Sequence, residues 1–564
     1  MEPKIALVQG STEPALWFET LGSFIDKQAA QYEDRVAAVF PWQSVQLSYR
    51  QLADRSKILA KAMLETGLRK GDCIGIMAGN CYQYIEVFLG GGRIGCPVVV
   101  LNNTYIPGEL MGELMSAVQK SSCKLVFVAS EIGSRALSAH IKALRGDQPT
   151  NPTLPELRRV VNLGNTGSSN TGVEMQSYSE FTSGAQSVFM KDSILLRAGR
   201  SVKPEDVLNL QFTSYLVLSF NHLRNIPRSN SKLGTTDSPK AAMLTHINLL
   251  NNARFVGYAM HLTPSDIICC PPPLFHCFGL VLGFLSSFVH GSSIIFPLDF
   301  FDVHKVVSSI LSENATVLLG VPTMKEMGVH KMLIAYGMTE TSPVTFITSI
   351  DDGDEKGTTT VGRDLPHTAA KVVGKGGEVL RRGQRGELCT SGEVMRVDGD
   401  GVLWMHTGDE AFIDDDGYAH ITGTIKDLII RGGENIFPRE IEERLMWHPS
   451  ISEASVVGIK DERYDEVVGC FLKMAEGCSN IPNAEVKQWV GEKLGRHKTP
   501  QYTFWIGDEN VGSDFPKTGS GKHQKHIMRD LGNRLVQRDA ARASYSDMNS
   551  NSNRFLHSLF SVGI

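Results

Sequence analysis

Short apolar runs of strand length recur along this chain between stretches with helical periodicity. The clearest of these runs are Cys73–Met77, Pro97–Leu101, Lys124–Val128, Ser293–Phe296 and Thr316–Leu319. A run of this kind, bounded by turn residues, is typical of a strand that is buried on both faces. Strands that alternate with helices form a mostly parallel sheet with helices on both sides. The sequence therefore predicts an α/β fold, with binding sites at the loops beyond the strand ends.

Length, composition and charge exclude several classes of protein. The 564 residues are 42% hydrophobic and 21% charged, which is an ordinary globular composition with enough chain for several domains. The formal net charge is −5 and no dense block of Lys and Arg occurs, so nothing attracts nucleic acid or an anionic membrane. We therefore expect small-molecule partners and no nucleic acid, while the oligomeric state stays open.

The cysteines and the most apolar segment bear on the compartment. The ten cysteines are scattered without the two-residue spacing of structural zinc sites, so they indicate neither a disulfide framework nor a metal site. The N-terminus lacks a basic segment followed by a long apolar core, so we expect no secretory signal. Serines, His290 and Gly291 interrupt Phe278–Phe296, which predicts a buried helix followed by a strand rather than a membrane span.

A loop of small and hydroxyl-bearing residues is interrupted near the middle of the chain. The segment Tyr215–Leu233 separates Gln211–Ser214 from Gly234–Lys240 and is unlike both flanks. Without that segment, a single loop would contain Thr213, Ser214, Gly234, Thr235, Thr236 and Lys240. Glycine lets backbone N–H groups turn toward an anion, hydroxyl groups add donors, and lysine brings a positive charge. The loop therefore predicts a phosphate site whose continuity is broken.

The composition changes after residue 423. Pro438 followed by Glu440, Glu442 and Glu443 places proline and acids where a helix would begin. From about Asp539 the chain is rich in Ser and Asn. We predict a large domain over 1–423, a second, smaller domain over 424–537 and a disordered tail over 538–564.

Several motifs then occur in one order along the chain. After the interrupted loop come Ala335–Glu340, Thr407–Asp409, Ile425–Asp427, Arg431–Asn435 and Pro516–Lys522. In this order they resemble the adenylate-forming (AMP-binding) superfamily, and in particular its acyl-CoA synthetase branch of the medium-chain-like type. The resemblance extends from near Leu16 to near Leu531. It implies a large N-terminal adenylation domain of mostly parallel sheets flanked by helices, and a small mobile α+β C-terminal lid domain.

The resemblance also implies a two-step reaction that uses ATP, Mg²⁺ and coenzyme A. A carboxylate attacks the α-phosphorus of ATP and releases pyrophosphate, and the thiol of coenzyme A then attacks the acyl-adenylate. Because one anion attacks another, catalysis would depend on positioning and on charge neutralisation. The chain would thus be an AMP-forming acid–thiol ligase that acts on a fatty or other apolar carboxylic acid.

The resemblance assigns roles to residues of the nucleotide site. Lys522 would bridge the carboxylate and the α-phosphate during adenylation. Glu340 would hold Mg²⁺, and Thr339 would donate a hydrogen bond to the α-phosphate. Tyr336 would lie against adenine, and Asp409 would accept hydrogen bonds from the ribose hydroxyls.

Other positions that match the family concern the acyl group and coenzyme A. His276 resembles the residue beside the acyl carboxylate. Gly432 and Gly433 match the loop along the pantetheine channel, and Lys426 with Asp427 matches the hinge about which the lid rotates between the two steps.

Purely structural roles remain open as alternatives for several of these residues. Lys522 can be a solvated surface lysine, Tyr336 a half-buried aromatic at a strand end, and His276 a core histidine. Gly432 and Gly433 can form a tight turn as well as line the pantetheine channel.

The chain departs from the family pattern at several places. Besides the inserted segment, Asp237 stands where the family has glycine, and Thr424 stands in place of an arginine that helps to fix the ribose. Several dozen residues are missing after Met324, and a shorter omission follows Gly392. We interpret these clean junctions as errors of the gene model, a retained intron and removed exons, rather than as a natural variant. We expect a polypeptide of this sequence to adenylate poorly.

Two other functions and several compartments stay open. The enzyme could load a carrier-protein thiol in secondary metabolism, or the chain could be a degenerate, non-catalytic nucleotide- or acyl-binding relative. We expect an intracellular protein, either cytoplasmic or peroxisomal, with mitochondria as a further possibility, because the resembling enzymes include peroxisomal and mitochondrial members.

Overall fold

A computed structural model of the chain describes residues 4–103, 111–146, 151–164, 175–184, 192–213, 240–320, 333–392, 404–431, 434–517 and 522–538. The inserted segment 215–233 lies outside these residues, and so does the predicted tail beyond residue 538.

The helices of the described residues are distributed over the whole length of the chain. They are α1 (Leu21–Tyr32), α2 (Tyr49–Glu65), α3 (Tyr82–Arg93), α4 (Met111–Lys120), α5 (Ser138–Arg145), α6 (Tyr178–Gly184), α7 (Asp192–Arg200), α8 (His246–Ala259), α9 (Ser286–His290), α10 (Val303–Ser312), α11 (Asp354–Thr359), α12 (Pro438–Met446) and α13 (Asn483–Gly491). Residues 525–538 are helical too. A π-helix, Phe278–Leu285, leads into α9.

The strands alternate with these helices. They are β1 (Leu7–Gln9), β2 (Val36–Phe40), β3 (Val45–Ser48), β4 (Ile74–Met77), β5 (Val98–Val100), β6 (Leu125–Val128), β7 (Glu131–Ile132), β8 (Arg135–Ala136), β9 (Arg159–Asn162), β10 (Gln176–Ser177), β11 (Val207–Thr213), β12 (Lys240–Thr245), β13 (Ile267–Cys269), β14 (Ser293–Ile295), β15 (Val317–Leu318), β16 (Ala335–Gly337), β17 (Val344–Ile347), β18 (Arg363–Asp364), β19 (Thr368–Val373), β20 (Gly386–Gly392), β21 (Met405–Ile413), β22 (Ala419–Thr424), β23 (Ile429–Arg431), β24 (Glu434–Ile436), β25 (Ile451–Asp461), β26 (Asp465–Met474) and β27 (Tyr502–Trp505).

Two mostly parallel sheets form the centre of the N-terminal part. One has the order β10-β9-β6-β4-β5-β11-β12 and is parallel except where β11 meets β12. The other has the order β15-β13-β14-β2-β3 and is parallel except where β2 meets β3. Side chains from both sheets and from α1, α2, α3 and α8 share one apolar core. The α/β fold with parallel sheets and flanking helices is therefore confirmed.

The predicted strands coincide with observed ones. The five apolar runs of the sequence correspond to β4, β5, β6, β14 and β15, each within one residue at either end. The apolar segment 278–296 forms the predicted buried helix followed by a strand. Among the described residues, none of the helices combines the length and the apolar character needed to cross a bilayer.

A third sheet of the N-terminal part is antiparallel and was not predicted. Its order is β1-β19-β20-β21-β22, and the three-stranded sheet β16-β17-β18 packs against its core through Phe346. The pairing of β1 with β19 joins Leu7 to Lys371, so this sheet depends on contacts between distant parts of the chain. Local apolar patterns carry no information about such pairing, and this explains the omission.

A separate antiparallel sheet with its own core forms the C-terminal part. Its order is β24-β23-β26-β25, and β27 pairs with β26 in parallel. The helices α12 and α13 contribute to this core, and α12 begins at Pro438 as predicted. The predicted domain boundary between residues 423 and 424 falls at the end of β22. The division into domains 1–423 and 424–537 stays a prediction.

Helix α8 connects the layers because polar side chains on it bind the main chain of other elements. Its first turn is capped by reciprocal bonds between Thr245 and Asn248. Asn252 donates to the carbonyl of Val344 at 2.8 Å and accepts from its N–H at 3.2 Å, which fixes β17 beside the helix. The position of the β16–β17 hairpin is therefore set by α8.

His246, at the start of α8, is buried and holds the start of α1. The N–H of Leu21 donates to Nδ1 of His246 at 3.0 Å. Burial lowers the pKa of His246 to about 4, while Asp206 opposes this shift and Lys70 adds to it. The neutral imidazole is thus the form that the fold requires.

We predict that acidification weakens the fold through His246. Its pKa is lower in the folded state than in the unfolded chain, so its contribution is complete above about pH 6.5 and is lost as the pH falls toward about 4. At about pH 5 the loss would be about 2 kcal/mol. The variant His246→Gln keeps an acceptor but cannot titrate, so its Tm should fall less than that of the parent between about pH 7 and pH 5. The exposed His304→Gln is the control, and equal losses in all three proteins would contradict this account.

Candidate active site

The hairpin of β16 and β17 carries the residues that were predicted to contact adenine and phosphate. Tyr336 is paired with Phe346, and a 3₁₀ turn at Thr339–Thr341 leads into the second strand. A Cβ atom on Gly337 would lie 1.9 Å from the carbonyl oxygen of Pro343, so only glycine fits at this crossing. The hairpin therefore brings Thr339 and Glu340 close to Tyr336.

A β-bulge in β21 presents Asp409. The pairing of β20 with β21 shifts register beside Glu387, and Gly408 in the bulge has a φ of +73°, which favours glycine. Oγ1 of Thr407 donates to the carbonyl of Leu388 at 2.8 Å and accepts from the N–H of Asp409 at 3.1 Å. Oε1 of Glu387 accepts from the N–H of Gly408 at 3.2 Å. Two side chains thus hold the backbone conformation that orients Asp409.

The carboxylate of Asp409 connects two sheets. Its Oδ2 accepts from the hydroxyl of Tyr336 at 2.7 Å, and its Oδ1 accepts from Oγ1 of Thr424 at 2.9 Å. Burial and the negative charge of Asp409 raise the pKa of Tyr336 well above its usual value, so the phenol stays a donor. Thr424 places a neutral hydroxyl where the resemblance led us to expect an arginine. The predicted adenine and ribose contacts are therefore adjacent.

Cys277 links β11 to the 339–341 turn. Its thiol donates to Oε1 of Gln211 on β11 at 2.9 Å. Burial raises the pKa of Cys277 to about 12, against the opposing effects of hydrogen bonds with Thr339 and Gln211, and the charge of Glu340 raises it further. The thiol is therefore protonated at neutral pH and is a poor nucleophile. Its contacts bring the end of β11 next to the 339–341 turn.

His276 precedes Cys277 and is half-buried. Its Nδ1 accepts from the N–H of Phe278 at 3.1 Å, and burial lowers the pKa of the imidazole. The ring is thus neutral near pH 7, with its hydrogen on Nε2. This places a neutral donor next in sequence to Cys277, just before the apolar π-helix. Its role beside an acyl carboxylate stays a prediction.

The ends of the interrupted loop face each other. Thr213 and Lys240 are register partners in the antiparallel pair β11 and β12, and the 339–341 turn lies beside β12. Ser214, Gly234, Thr235 and Thr236 lie outside the described residues, as does Asp237. The inserted segment therefore belongs to the connection of a hairpin, where extra length costs little folding free energy.

Lys522 belongs to the C-terminal part. Residues Lys517 and His523 form an antiparallel bridge, and their side chains contact Glu453 of β25 at 2.6 and 2.7 Å. Burial would raise the pKa of Glu453, but hydrogen bonds from Lys517 and His523 outweigh it and lower the pKa. Lys522 therefore lies on a hairpin whose base is held to the C-terminal sheet. Its approach to the phosphates stays a prediction.

The segment between the two parts is short. Lys426 and Asp427 lie in one 3₁₀ turn, Ile425–Asp427, between β22 and β23. Gly432 and Gly433 lie outside the described residues. A single turn without a long flanking loop is compatible with a hinge.

The role of Glu340 as a ligand of Mg²⁺ stays a prediction. In the part of the chain that the structure describes, no cluster of three metal-binding side chains includes Glu340. A cation here would therefore obtain most of its ligands from phosphate and water, which is how Mg²⁺ is usually bound. Magnesium at Glu340 would shield the phosphates and assist the departure of pyrophosphate.

Sequence reasoning missed four residues of this site. They are Gln211, Cys277, Glu387 and Thr407. Gln211 is the first residue of the segment Gln211–Ser214, and Thr407 is the first residue of Thr407–Asp409, so their positions offered a signal. Cys277 and Glu387 act through contacts between distant segments, and no local pattern marks them.

Comparison with known proteins identifies the family. The AMP-binding enzyme family model matches residues 25–214, 234–333 and 324–397, and the AMP-binding enzyme C-terminal domain matches residues 440–522. The chain belongs to the AMP-binding enzyme family. It is an AMP-forming acid–thiol ligase, and its cofactors are ATP, Mg²⁺ and coenzyme A.

Curated relatives of this AMP-binding enzyme are acyl-CoA ligases. The acyl-CoA ligase SID4 of Ajellomyces capsulatus is 39% identical over 95% of this chain and 95% of its own. The acyl-CoA ligase sidI of Aspergillus fumigatus is 40% identical over 96% of this chain and 95% of its own. The mitochondrial medium-chain acyl-CoA ligase ACSF2 of Danio rerio is 30% identical over 93% of this chain and 90% of its own.

Solved structures share the fold of this AMP-binding enzyme. The anthranilate CoA ligase AuaEII in complex with anthranoyl-AMP aligns with a TM-score of 0.75 at 18% identity, over 92% of this chain and 98% of its own. The ATP-bound MatB from Rhodopseudomonas palustris aligns with a TM-score of 0.71 at 23% identity, over 92% of this chain and 100% of its own.

The family match also locates the departures of this AMP-binding enzyme from its relatives. It omits residues 215–233, the segment that interrupts the predicted phosphate loop. Its two later matches, 234–333 and 324–397, are separate and overlap over residues 324–333. The alignment with SID4 spans 589 positions, more than the 564 residues of this chain, so it opens gaps in this chain. The relatives therefore contain residues that are missing here.

We predict that Asp409→Asn weakens the binding of AMP, which reaches the ribose site but lacks the outer phosphates. Loss of a charged hydrogen-bond acceptor costs about 1.5–3 kcal/mol, or roughly a 10- to 100-fold loss of affinity. The exposed Asp415→Asn is the matched control. Calorimetric titration with AMP measures the effect, and equal affinities of the parent and Asp409→Asn would show that this carboxylate does not bind the ribose.

Proposed function

We propose that this ligase activates a fatty or other apolar carboxylic acid as its acyl-adenylate and then transfers the acyl group to coenzyme A. One observation carries the proposal. The Cys277 thiol contacts Gln211 of β11 and Thr339 of the 339–341 turn, so the segment beginning at His276 meets the predicted phosphate-binding segments. A carboxylate beside His276 would thus lie next to the predicted position of the α-phosphate.

The apolar character of the acid follows from the segment behind His276. The π-helix continues from Cys277 with buried residues from Gly279 to Leu285 and carries no charged side chain. Phe275 and Phe278 on either side of His276 and Cys277 are only partly buried and pack against the same core. An acyl chain next to this surface would contact carbon atoms almost exclusively, which favours an alkyl or aryl group over a polar one. The name of the zebrafish relative, a medium-chain acyl-CoA ligase, agrees with this choice.

Adenylation would proceed by alignment and charge neutralisation. Thr339 would donate to the α-phosphate, and Tyr336 and Asp409 would hold the adenosine so that the α-phosphorus faces the carboxylate. Neutral His276 would donate from Nε2 to the acyl carboxylate without removing its charge, so the carboxylate stays nucleophilic. Lys522 on the lid would then offset the negative charge that gathers between the two anions.

Transfer to coenzyme A would require the lid to turn. The turn Ile425–Asp427 is the only connection between β22 and β23, so rotation there would withdraw Lys522 and present the 432–433 loop instead. We propose coenzyme A rather than a carrier-protein thiol as the acceptor because the curated relatives described above are named acyl-CoA ligases.

We also propose an intracellular location and the domain division given by the sequence. All ten cysteines are free thiols, which fits a reducing compartment. The separate matches of the two family models agree with a boundary near residue 424.

We predict that Lys522→Ala separates the two half-reactions. Exchange of pyrophosphate into ATP with a medium-chain acid should fall by about 100- to 1,000-fold, since one transition-state donor is worth about 3–4 kcal/mol. Thioester formation from supplied acyl-adenylate should fall by less than about tenfold. The control is Lys487→Ala, which changes an exposed lysine of the C-terminal part and should leave both rates unchanged. Equal loss of both half-reactions, or unchanged exchange, would contradict the role of Lys522. Exchange that is absent from the parent, with AMP still bound, would favour a non-catalytic relative.

We predict that removing residues 215–233, which joins Ser214 to Gly234, raises the adenylation rate. The insert separates Ser214 from Gly234 in the sequence of the predicted phosphate loop, and a misplacement of catalytic groups by about 1 Å costs on the order of 100-fold. The deletion variant should exchange pyrophosphate at least about tenfold faster than the given chain. The comparison uses the same acid and the same ATP concentration. An unchanged or lower rate in a folded variant would show that the insert does not limit the site.

A further inference from the structure

We infer that Glu387, Cys389 and His406 form a binding site for a borderline divalent cation, with Zn²⁺ as the best-fitting ion. This site is distinct from the predicted magnesium position at Glu340. It is the one group of three metal-binding side chains within the described residues whose ligand atoms all lie within 4.8 Å of one another. A thiol, an imidazole and a carboxylate together are a ligand set that zinc accepts and magnesium does not.

The pairing of β20 with β21 brings the three side chains together. Glu387 and Cys389 are two residues apart on β20 and so point to the same face. His406 on β21 is the direct register partner of Cys389. Neighbouring side chains on one sheet face thus supply all three ligands without any loop, which gives a rigid site.

The distances are close to those between ligands on one zinc ion. Nδ1 of His406 lies 3.4 Å from Sγ of Cys389 and 2.8 Å from Oε2 of Glu387. Ligands at about 2.0–2.3 Å from a tetrahedral zinc are separated by roughly 3.3–3.6 Å. The sulfur–nitrogen distance already fits, and the nitrogen–oxygen distance needs to open by about 0.5 Å.

Hydrogen bonding does not satisfy this group fully. Nδ1 of His406 has two neighbours but can carry only one hydrogen. If that hydrogen is donated to Glu387, Nδ1 cannot accept from the thiol of Cys389. A cation that replaces this hydrogen would engage all three atoms at once.

Charge and access also suit a cation. The side chain of His406 is 56% exposed, so an ion can enter from solvent and keep water as its fourth ligand. Cys389 is buried, and burial raises the pKa of its thiol to about 12, with Glu387 raising it and Lys371 lowering it. Lys371 is the register partner of Cys389 on β19, where its charge would favour a thiolate but oppose a nearby cation. Coordination to the ion itself would deprotonate the thiol.

The site lies directly behind the ribose-binding bulge. Glu387 uses Oε2 toward His406 and Oε1 toward the N–H of Gly408, which precedes Asp409. A cation bound to Oε2 would therefore hold Glu387 in the position that supports the bulge. We expect bound Zn²⁺ to stabilise the folded chain.

The test is a titration of the purified full chain with Co²⁺, a spectroscopic substitute for Zn²⁺. The expected result is a thiolate-to-cobalt charge-transfer band that saturates at one equivalent and disappears on addition of Zn²⁺. The band should be lost in Cys389→Ser and strongly reduced in His406→Ala. It should persist in Cys478→Ser, which changes an exposed free cysteine outside the group. A band that is absent from the parent, or lost only in Cys478→Ser, would overturn the inference.

A second measurement guards against loss of folding in the variants. Equilibrium dialysis with Zn²⁺ should give one bound ion per chain, and Glu387→Gln, which keeps an acceptor for Gly408, should bind at least about tenfold more weakly. Zn²⁺ should also raise the Tm of the parent but not that of Cys389→Ser. If all variants retain the metal-free Tm of the parent and bind Zn²⁺ equally, these residues are not ligands.

Discussion

The predicted nucleotide site depends on the hydrogen bonds that the carboxylate of Asp409 accepts. Hydrogen bonds from Tyr336 and Thr424 reach its two oxygens, so one side chain joins the β16–β17 hairpin to the antiparallel sheet. Burial and the negative charge of Asp409 raise the pKa of Tyr336, so its phenol stays protonated and donates to the carboxylate. The aromatic ring and the carboxylate, which we predict to contact adenine and ribose, are thereby held next to each other.

Support for this interaction comes from the backbone on either side. The bulge at Gly408 is held by Thr407 and Glu387, while the hairpin of Tyr336 is held by the bonds between Asn252 and Val344. Thr407 and Asn252 are uncharged, and Glu387 is engaged with Gly408 and His406. We therefore expect the predicted nucleotide site to be rigid on the side of the N-terminal part, and any movement between the half-reactions to occur at the turn before β23.

We expect the departures of this chain from its relatives to affect function more than folding. The inserted segment enters between Thr213 and Lys240, which are register partners at the open end of a hairpin. Lengthening such a connection costs little free energy, so β11 and β12 still pair. Phosphate binding is more sensitive, because its donors must lie within tenths of an ångström of their places. A chain can therefore keep the fold of an AMP-binding enzyme while its chemistry is impaired.

The sequence alone determined the parallel strands and the order of the motifs, because buried strands and short phosphate-binding loops leave local patterns. β4, β5 and β6 were predicted within one residue, and Tyr336, Asp409 and Thr424 were selected before their contacts were known. Only the tertiary structure showed the pairing of β1 with β19, the Cys277–Gln211 contact and the convergence of Glu387, Cys389 and His406. Such contacts join residues that are distant in the chain, and the free energy that selects them comes from packing of the whole fold rather than from any local segment.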